Sequence, residues 1–402
     1  MSGFFILNEA GMAKIILKKN EERRIVKGHL WIFSNEIHLI EENPENGSIV
    51  DVYDSKNKFL GAGFYNKNSL ISVRILCRRR IENLNELFKE RILAAFELRK
   101  SCIPERESFR LVFSESDFLP GLIIDKYNDT YVLQVYSFGM EKNIELICEI
   151  LKNELGAKNI FSKNEEYFRV LEGLPTEDHI YLGEITDEVI SDGEIKYNIN
   201  FTKGHKTGFY FDQSDNRHFL AKLVSGKTMI DCFCNSGGFG LNAINGDAVS
   251  VSFIDSSETE IEIVKKNIKL NGFSSNYELI VGDVFEELEK YKTEGRKFDV
   301  VNLDPPAFAK NKKNLLSAVA GYEKLNKLGM EIIVNGGLLA TSSCSFHLKK
   351  KEFLEAVQNA ARKAKKEIKL VYFNTASMDH PSLPEMNETS YLKFALFFVK
   401  DL

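Results

Sequence analysis

The sequence predicts an α/β protein whose largest part is a seven-stranded, mostly parallel sheet with helices on both faces. From about residue 190 onwards, short apolar runs typical of strands alternate with stretches that have a helical period. The residues before about 75 read instead as short strands separated by turn signals. With 402 residues, 44% hydrophobic and 28% charged, the chain has an ordinary globular composition and room for two or three domains.

Three domains are expected, at 12–80, 82–188 and 190–402. The first is a small all-β module, because strand-like runs at 14–17, 48–53, 59–65 and 71–77 are separated by turns. Met12 restarts the chain with a good first strand, so residues 1–11 are interpreted as a loose extension or an upstream start. The second is a central α+β domain, with helical periods at 84–100 and 140–155 and strand-like runs at 122–125, 131–136 and 159–163.

The third domain carries the alternation of strands and helices. A hairpin is predicted across Asp192-Gly193. Strands are then predicted at 227–232, 249–254, 277–280, 298–303, 337–342, 368–374 and 391–399. Helices are predicted at 238–244, 258–270, 284–291, 314–334 and 348–365. Because a long loop without a convincing helix joins the last two strands, the final strand is expected to be antiparallel.

Composition excludes several classes of protein. No apolar run is long enough to span a bilayer, and the N-terminus lacks the features of a secretory signal, so we expect no membrane association. The six cysteines include no Cys-x-x-Cys pair, so neither a disulfide scaffold nor a metal site is expected, and the compartment is interpreted as cytoplasmic. The net charge of −5 argues weakly against a nucleic-acid partner.

Local charge differs from the total. Six bases against two acids lie between Lys14 and Lys27, including Lys18, Arg23 and Arg24. A second cluster, Arg74 with Arg78, Arg79 and Arg80, contains no acid in the sequence. A solvated face is the simpler interpretation of both clusters, and a phosphate-binding surface is the functional one.

A glycine-rich loop follows the first strand of the large domain. Within 229–240, Asp231 and Asn235 precede glycines that include Gly237 and Gly238. Glycines there allow the backbone to approach a ligand at a helix N-terminus, although tight packing explains them equally well. No Walker lysine follows and the spacing is not Gly-x-Gly-x-x-Gly, so phosphate binding is disfavoured.

Acids stand at the next three strand ends. Asp255 is placed to accept both hydroxyls of a ribose, and Asp283 to accept from an adenine amino group. One such acid is commonly a helix cap, but Asp304 makes a third in succession. An acid-rich pocket without phosphate-binding groups suits a nucleoside joined to a cation, as in S-adenosyl-L-methionine.

The fourth and fifth strand ends carry reactive groups. Two prolines after Asp304 fix a turn, and Phe308 beyond them is an aromatic that could stack on a base. Cys344 ends the fifth strand at the same rim, where a thiolate can be a nucleophile. Addition of such a thiolate to C6 of a pyrimidine makes C5 able to attack a methyl donor. A rigid loop and a small buried cysteine are the structural interpretations of the same residues.

Several stretches along the chain form a recognisable set: Lys27–Glu36, Lys206–Arg217, the loop 231–240, Asp304-Pro-Pro-Ala-Phe308, Thr341-Ser-Ser-Cys-Ser345 and Asp379-His-Pro381. In these stretches, residues 12–402 resemble the bacterial 23S ribosomal RNA cytosine-C5 methyltransferases that carry an N-terminal PUA domain. The resemblance implies a Rossmann-like seven-stranded methyltransferase domain preceded by a small β (PUA-like) domain and a central α+β domain. It also implies that Phe209 and Gln213 help line the methyl-donor pocket, whereas Arg217 could instead brace the following helix.

The family also implies a partner, ribosomal RNA, either 23S or its assembly intermediate. The residues expected to grip its phosphates are Lys14, Lys18, Arg23, Arg24, Arg78, Arg79 and Arg80. A homodimer is left open. Trp31, within an apolar run, is interpreted as a core residue rather than a base-stacking one.

One departure leaves the target atom open. Cytosine-C5 enzymes of the two-cysteine type have a second cysteine after the prolines, where this chain has Ala307. Guanine-N7 methyltransferase domains have a similar Asp-Pro-Pro motif, and Cys344 favours cytosine C5 over them. A non-catalytic RNA-binding protein on the same scaffold is a rival interpretation. An NAD-dependent dehydrogenase is another, although no hydride-transfer acid is evident for it.

Overall fold

The structure, a computed structural model, describes residues 12–202, 207–309 and 312–402. Residues 1–11, interpreted above as an extension or an upstream start, and Lys206 of the resembling stretch lie outside them. The chain divides into two compact units. The first comprises the chain up to Glu188 together with Asn200–Phe209 and Asp379–Thr389, and the second comprises Val189–Ile199, Tyr210–Met378 and Ser390–Leu402.

The first unit begins with a β-rich module. Its strands are β1 (Lys14–Leu17), β2 (Trp31–Phe33), β3 (Ile37–Ile40), β4 (Ile49–Tyr53), β5 (Phe59–Tyr65) and β6 (Ile71–Cys77). Among the described residues they form one sheet in the order β2-β6-β5-β4-β1-β3. The predicted all-β module is present, but β2, β3 and the short helix α1 (Glu22–Lys27) were not predicted. Alternate residues of the strands, such as Ile15, Val50 and Val73, are fully buried in its core.

The rest of the first unit mixes helices with a second sheet. The helices are α2 (Leu84–Cys102), α3 (Phe138–Lys142), α4 (Ile144–Leu155) and α5 (Glu166–Glu172). The strands are β7 (Phe109–Phe113), β8 (Leu122–Tyr127), β9 (Thr130–Val135), β10 (Asn159–Ser162) and β11 (Ile180–Leu182), in the order β11-β10-β9-β8-β7. The Asn83 side chain caps α2 by accepting from the amides of Asn85 and Glu86. The apolar period of α2 then buries Phe88 and Ile92 in the core of this unit.

The second unit opens with the predicted hairpin and continues as alternating strands and helices. Its strands are β12 (Glu188–Asp192), β13 (Ile195–Ile199), β14 (Thr228–Cys232), β15 (Ser250–Asp255), β16 (Asn276–Val281), β17 (Phe298–Leu303), β18 (Ile333–Ser343), β19 (Lys366–Asn374) and β20 (Lys393–Asp401). Its helices are α6 (Ser214–Ala221), α7 (Gly238–Asn245), α8 (Glu258–Leu270), α9 (Val284–Thr293), α10 (Leu315–Glu331) and α11 (Lys350–Ala364). All seven predicted strands and all five predicted helices are found.

The large sheet has the order β16-β15-β14-β17-β18-β20-β19 among the described residues. The pairs from β16 to β18 are parallel, whereas β20 is antiparallel to both β18 and β19. The predicted antiparallel final strand is therefore confirmed. Strand order reverses beside β14, which is where ligands bind in open α/β sheets.

The core of the second unit lies between the large sheet and three of its helices. Buried side chains of β17 and β18, including Val301 and Leu339, pack with Tyr322 of α10 and Phe353 of α11. These contacts pack the large sheet against its helices. The α/β fold class is confirmed. The division of the first unit into domains 12–80 and 82–188 stays a prediction.

Membrane-spanning helices and metal-binding clusters are both missing from the described part of the chain. Within these ranges, no helix is both long enough and apolar enough to cross a membrane. No group of three or more histidine, cysteine, aspartate or glutamate side chains there is arranged to hold a metal ion.

Candidate functional site

Four neighbouring strands of the large sheet end along one rim. In their spatial order β15, β14, β17 and β18, these strands end at Asp255, Cys232, Leu303 and Ser343. Because parallel strands present their carboxyl ends to the same edge, the loops after them converge. The predicted residues Asp255, Asp304 and Cys344 are thereby brought to a common rim.

The glycine-rich loop after β14 has an unusual backbone. Phe233 and Asn235 have left-handed φ angles of 60° and 47°, and Gly237, at the start of α7, has a φ of 84°. A Cβ on Gly238 would lie 2.4 Å from Nε of Arg217, so this glycine makes room for the guanidinium group. The alternative role of Arg217, bracing the helix start, agrees with this contact. Gly237 and Asn235 keep the strained turn that shapes the loop.

Asp231 lies beneath this loop. Its carboxylate is buried and accepts the amide of Gly240 at 2.8 Å and Nδ2 of Asn302 at 2.9 Å. Burial raises its pKa to about 6, while these two hydrogen bonds oppose the rise. The carboxylate thus ties α7 and β17 to the end of β14. This position supports the loop from below, and direct contact with a cofactor stays a prediction.

The two acids predicted to hold a nucleoside differ in their surroundings. Asp255 is half-buried, and its oxygens accept the amides of Asn235 and Ser257, both at 3.0 Å. Asp283 is exposed and caps α9 by accepting from the amides of Phe285 and Glu286. Asp283 is therefore a helix cap, and the same oxygen, Oδ1, accepts both hydrogen bonds. Each carboxylate oxygen has two lone pairs, so both acids retain acceptor capacity for a ligand.

The half-buried Asp304 and the buried Gln213 form a polar contact at the rim. Gln213 Nε2 donates to Asp304 Oδ1 at 2.9 Å and to Ser342 Oγ at 3.1 Å, which joins the ends of β17 and β18. Burial, followed by the nearby charges of Asp212 and Asp231, raises the pKa of Asp304 to about 7. The Asp304 carboxyl therefore exchanges a proton near neutral pH, as groups at reacting centres commonly do.

Cys344 follows β18 directly and is half-buried. Its Sγ lies 4.0 Å from the carbonyl oxygen of Pro305, next to Asp304. Its neighbours Ser343 and Ser345 are buried and both contact the Tyr322 hydroxyl, at 3.0 and 3.1 Å. Side chains alternate along an extended chain, so this contact directs Cys344 away from Tyr322 and toward the Asp304 loop.

The other cysteines differ from Cys344. Cys232 and Cys234 are buried, and burial raises the pKa of both thiols well above the ordinary value. Cys77, Cys102 and Cys148 belong to the first unit. Only Cys344 combines partial exposure with the rim of the sheet among the described residues.

Two predicted aromatic residues have structural contacts. The Phe308 ring is half-buried and tilted against Tyr322, with centroids 4.7 Å apart. Phe209 is buried in the first unit, where its amide donates to the Tyr127 hydroxyl at 3.0 Å. Stacking of Phe308 on a base and lining of the donor pocket by Phe209 stay predictions.

The basic residues of the first unit are partly engaged within it. Arg74 is buried against Glu115 and Glu172, so its inclusion in a phosphate-binding cluster was wrong. The acids are far away in the sequence, which is why the cluster looked purely basic. Trp31 is partly buried against the core, as expected, and its Nε1 also donates to Glu115 at 2.8 Å.

The seven residues predicted to bind phosphates each have a partner within the first unit. Arg79 is exposed and contacts Glu90 at 3.5 Å. Arg80 reaches Asp51 at 3.2 Å, and burial lowers the pKa of Arg78, which donates to the His29 carbonyl. The remaining four have these partners: Glu41 for Lys14, the Asn35 carbonyl for Lys18, Asn20 for Arg23 and Glu36 for Arg24.

Sequence reasoning missed three residues that interact with Asp304 or Cys344. Asp212 accepts from the Tyr391 hydroxyl at 2.5 Å, and its charge raises the pKa of Asp304. Burial raises the pKa of Tyr210, with smaller contributions from Asp212, Cys344 and Asp304. Lys393 is buried on β20. A lysine within the apolar run 392–397 was the one local signal available for these three residues.

Comparison with known proteins identifies the chain. A family described as a PUA-like domain matches residues 15–78, and one described as conserved hypothetical protein 95 matches residues 211–359. Ribosomal RNA large subunit methyltransferase I of Aeromonas hydrophila is 36% identical over 388 residues, which is 95% of this chain and 98% of that protein. The chain belongs to the ribosomal RNA large subunit methyltransferase I family. It is an S-adenosylmethionine-dependent rRNA methyltransferase.

Solved structures agree on the fold of this methyltransferase. A protein from Streptococcus mutans described as an S-adenosylmethionine-dependent methyltransferase has a TM-score of 0.82 at 19% identity, covering 96% of this chain and 99% of that one. A methyltransferase complexed with SAH has a TM-score of 0.83 at 19% identity and the same coverage. The methyl donor of the enzyme is S-adenosyl-L-methionine. Its rim fits that donor, since carboxylates and turned backbone, rather than phosphate-binding groups, surround the end of β14.

Proposed function

We propose that this methyltransferase methylates C5 of a cytosine in 23S rRNA, or in its assembly intermediate, with Cys344 as the nucleophile. The observation that carries the proposal is the position of Cys344, half-buried after β18, with its Sγ 4.0 Å from the Pro305 carbonyl of the Asp304 loop. The names of its relatives, which specify the large ribosomal subunit, support the choice of RNA. We expect the reaction to take place in the cytoplasm.

The chemistry assigns a step to each residue. The Cys344 thiolate forms a bond to C6 of cytosine, and the electron pair of the C5–C6 double bond makes C5 nucleophilic. S-adenosylmethionine supplies the methyl group that C5 takes up. Transfer of the C5 proton to a base then restores the double bond and expels the thiolate. Asp304 is proposed to hold the N3 and N4 edge of the ring, and its pKa of about 7 supplies both carboxylate and protonated forms for that contact.

The loop after β17 supports a single-cysteine route. Ala307 stands where a second cysteine would assist release, so proton removal from C5 is assigned to another base or to water. A nucleophilic cysteine at this rim has no use in methylation of guanine N7 or an exocyclic amine. For this reason cytosine C5 is the better proposal.

Replacement of the thiol tests the mechanism. Cys344→Ser should lower methyl transfer by at least about a thousandfold, because a serine hydroxyl is a far weaker nucleophile near neutral pH. Binding of S-adenosylmethionine, measured by calorimetry, should stay within about twofold of the wild type. Cys102→Ser, at an exposed cysteine of the first unit, is the matched control and should keep full activity.

A trapping experiment tests the covalent step directly. RNA with 5-fluorocytosine at the target should form an adduct with the wild type that survives denaturation, because fluorine cannot leave as the proton does. Mass spectrometry should locate the adduct on the peptide that contains Cys344. A Cys344→Ser enzyme with near wild-type rate, or absence of the adduct, would exclude C6 addition and favour guanine N7 or an exocyclic amine.

A further inference from the structure

The final strand of the enzyme carries a buried lysine. Lys393 retains only 7% of its surface exposure, and its neighbours Leu392 and Phe394 are buried core residues. An ammonium group removed from water is costly unless hydrogen bonds and charge compensate it. A structural role alone would be served more cheaply by an apolar side chain in this apolar run.

The hydrogen bonds of Lys393 bring its ammonium to the short segment that carries Cys344. Lys393 stands opposite Ser343 in the antiparallel pairing of β18 and β20. Its Nζ donates to the carbonyl oxygen of Ser345 at 2.7 Å and to that of Tyr391 at 2.6 Å. The lysine is thus aligned with the residue before Cys344 and bonded to the residue after it. Two of the three N–H groups of the ammonium donate to these carbonyls. Because carbonyls are neutral, they do not balance the positive charge of Lys393.

Charged and titratable groups from several elements interact with this pair. Cys344 interacts with the Lys393 charge from the end of β18, and Lys349 and Glu352 interact with it from the start of α11. Lys349 and Glu352 act in opposite directions on the lysine. Burial lowers the pKa of Lys393 to about 8, and Cys344 is the largest influence that opposes this fall. From other elements, Tyr210 and Tyr322 interact with the Cys344 charge. The carboxyl of Asp304 precedes Pro305, whose carbonyl oxygen lies 4.0 Å from Cys344 Sγ.

The segment around Cys344 is held still on its other side. The Ser345 hydroxyl contacts the Tyr322 hydroxyl and accepts the amide of Ala309 at 3.2 Å. The thiol and the ammonium are therefore fixed by the same short segment. A fixed cation near a thiol stabilises the thiolate, which is the reactive form.

We propose that Lys393 is a positioning residue whose ammonium stabilises the Cys344 thiolate before the base is attacked. This inference rests on the proposed role of Cys344 as the nucleophile. The proton leaves the thiol for solvent. At neutral pH, below its own pKa of about 8, the lysine keeps its proton. Lys393 forms no bond to the substrate.

Alkylation of Cys344 measures the thiolate without RNA or methyl transfer. The full-length enzyme is treated with iodoacetamide across pH 5.5–9.5, and mass spectrometry follows the peptide that contains Cys344. Lys393→Met should move the midpoint of the rate curve upward by about one pH unit, which is about a tenfold loss of rate at pH 7. Lys393→Arg keeps the positive charge and should keep the low midpoint. Lys349→Met removes a nearby exposed cation without these hydrogen bonds and is the matched control.

Methyl transfer provides a second readout that a packing defect would not produce. The activity of Lys393→Met should recover toward that of the wild type as the pH rises to 9, since the unassisted thiol ionises there. Affinity for S-adenosylmethionine should be unchanged, which shows that the variant is folded.

Three results would overturn the inference. One is an unchanged alkylation midpoint in a folded Lys393→Met enzyme. Another is a shift of the alkylation midpoint in Lys349→Met as large as the shift in Lys393→Met. The third needs no variant at all: a wild-type midpoint at or above about 8.5, the ordinary pKa of a cysteine, would show that no cation assists it. Failure of the proposed function is separate, because it is seen as activity in Cys344→Ser whatever the alkylation shows.

Discussion

At the scale of single residues, Asp304 shows how a reactive group opposes stability. A carboxyl whose pKa rises from 3.8 to about 7 in the folded chain binds a proton more tightly there than in the unfolded chain. Stability is therefore highest below pH 4 as far as this group is concerned, falls between pH 4 and pH 7, and stays reduced above that. Above pH 7, the carboxylate at the rim therefore lowers the free energy of unfolding.

Asp304→Asn should remove this cost while preserving the acceptor for Gln213, because an amide oxygen replaces Oδ1. At pH 8 the variant should be more stable than the wild type by about 1–3 kcal/mol, a figure reduced for the partial exposure of the group. Near pH 4 the two should have equal stability. Chemical denaturation at the two pH values measures the difference, and methyl transfer should be lost at both.

A control variant distinguishes the effect of burying a carboxyl from the effect of removing one negative charge. The control is Asp247→Asn, which makes the same chemical change at an exposed aspartate with a left-handed φ that asparagine tolerates. Equal effects of Asp304→Asn at pH 4 and pH 8 would contradict the raised pKa of Asp304.

At the scale of elements, the alternation of periods was enough to predict the large sheet. Each of its strands stands out because β-branched and apolar residues fill it and a polar loop follows. Helix α10 ends three residues before the predicted position 334, and β18 begins four residues before the predicted position 337. The apolar Ile332 and Ile333 between them fit either the end of a helix or the start of a strand. Helix α1 was missed because its six residues are too few to show a period.

The carboxyl end of β15 supplies a test of the donor site. Asp255→Ala should weaken S-adenosylmethionine binding tenfold to a hundredfold, about 1–3 kcal/mol, if its carboxylate accepts the ribose hydroxyls. Ser257→Ala is the matched control, because Ser257 caps α8 just after Asp255 by accepting the amide of Glu260. It should lower stability by about 1 kcal/mol and leave donor affinity within twofold. Equal donor affinity in Asp255→Ala, measured by calorimetry, would reduce Asp255 to a support for the loop after β14.

At the scale of the whole molecule, contacts between distant residues limited what the sequence could predict. The rim residues were found because each lies at a strand end, a position that local pattern reveals. Lys393 was missed because its partner Ser345 is 48 residues away. The same limit made Arg74 look available, since Glu172 is 98 residues distant. Local pattern therefore predicts which strand end carries a reactive group, and long-range pairing decides which charges remain free to act.

A chain with a net charge of −5 can bind RNA if its basic residues are clustered on one surface. The three adjacent arginines after β6 allow this hypothesis to be tested. Replacing Arg78, Arg79 and Arg80 with alanine should raise the RNA dissociation constant at least tenfold at low salt. The slope of its logarithm against that of salt concentration should fall by up to about 2–3, because fewer counterions are released. Donor affinity should not change.

A matched triple variant distinguishes placement from total charge in this experiment. Lys142, Lys152 and Lys158 are exposed on the same unit, outside the two basic clusters, and their replacement with alanine changes the net charge equally. If the arginine cluster grips phosphates, the lysine variant should keep a near wild-type salt slope while the arginine variant does not. If both variants lower affinity alike, only long-range attraction is involved, and the arginines, with Asp51 and Glu90 as partners, form a solvated surface of the β-rich module.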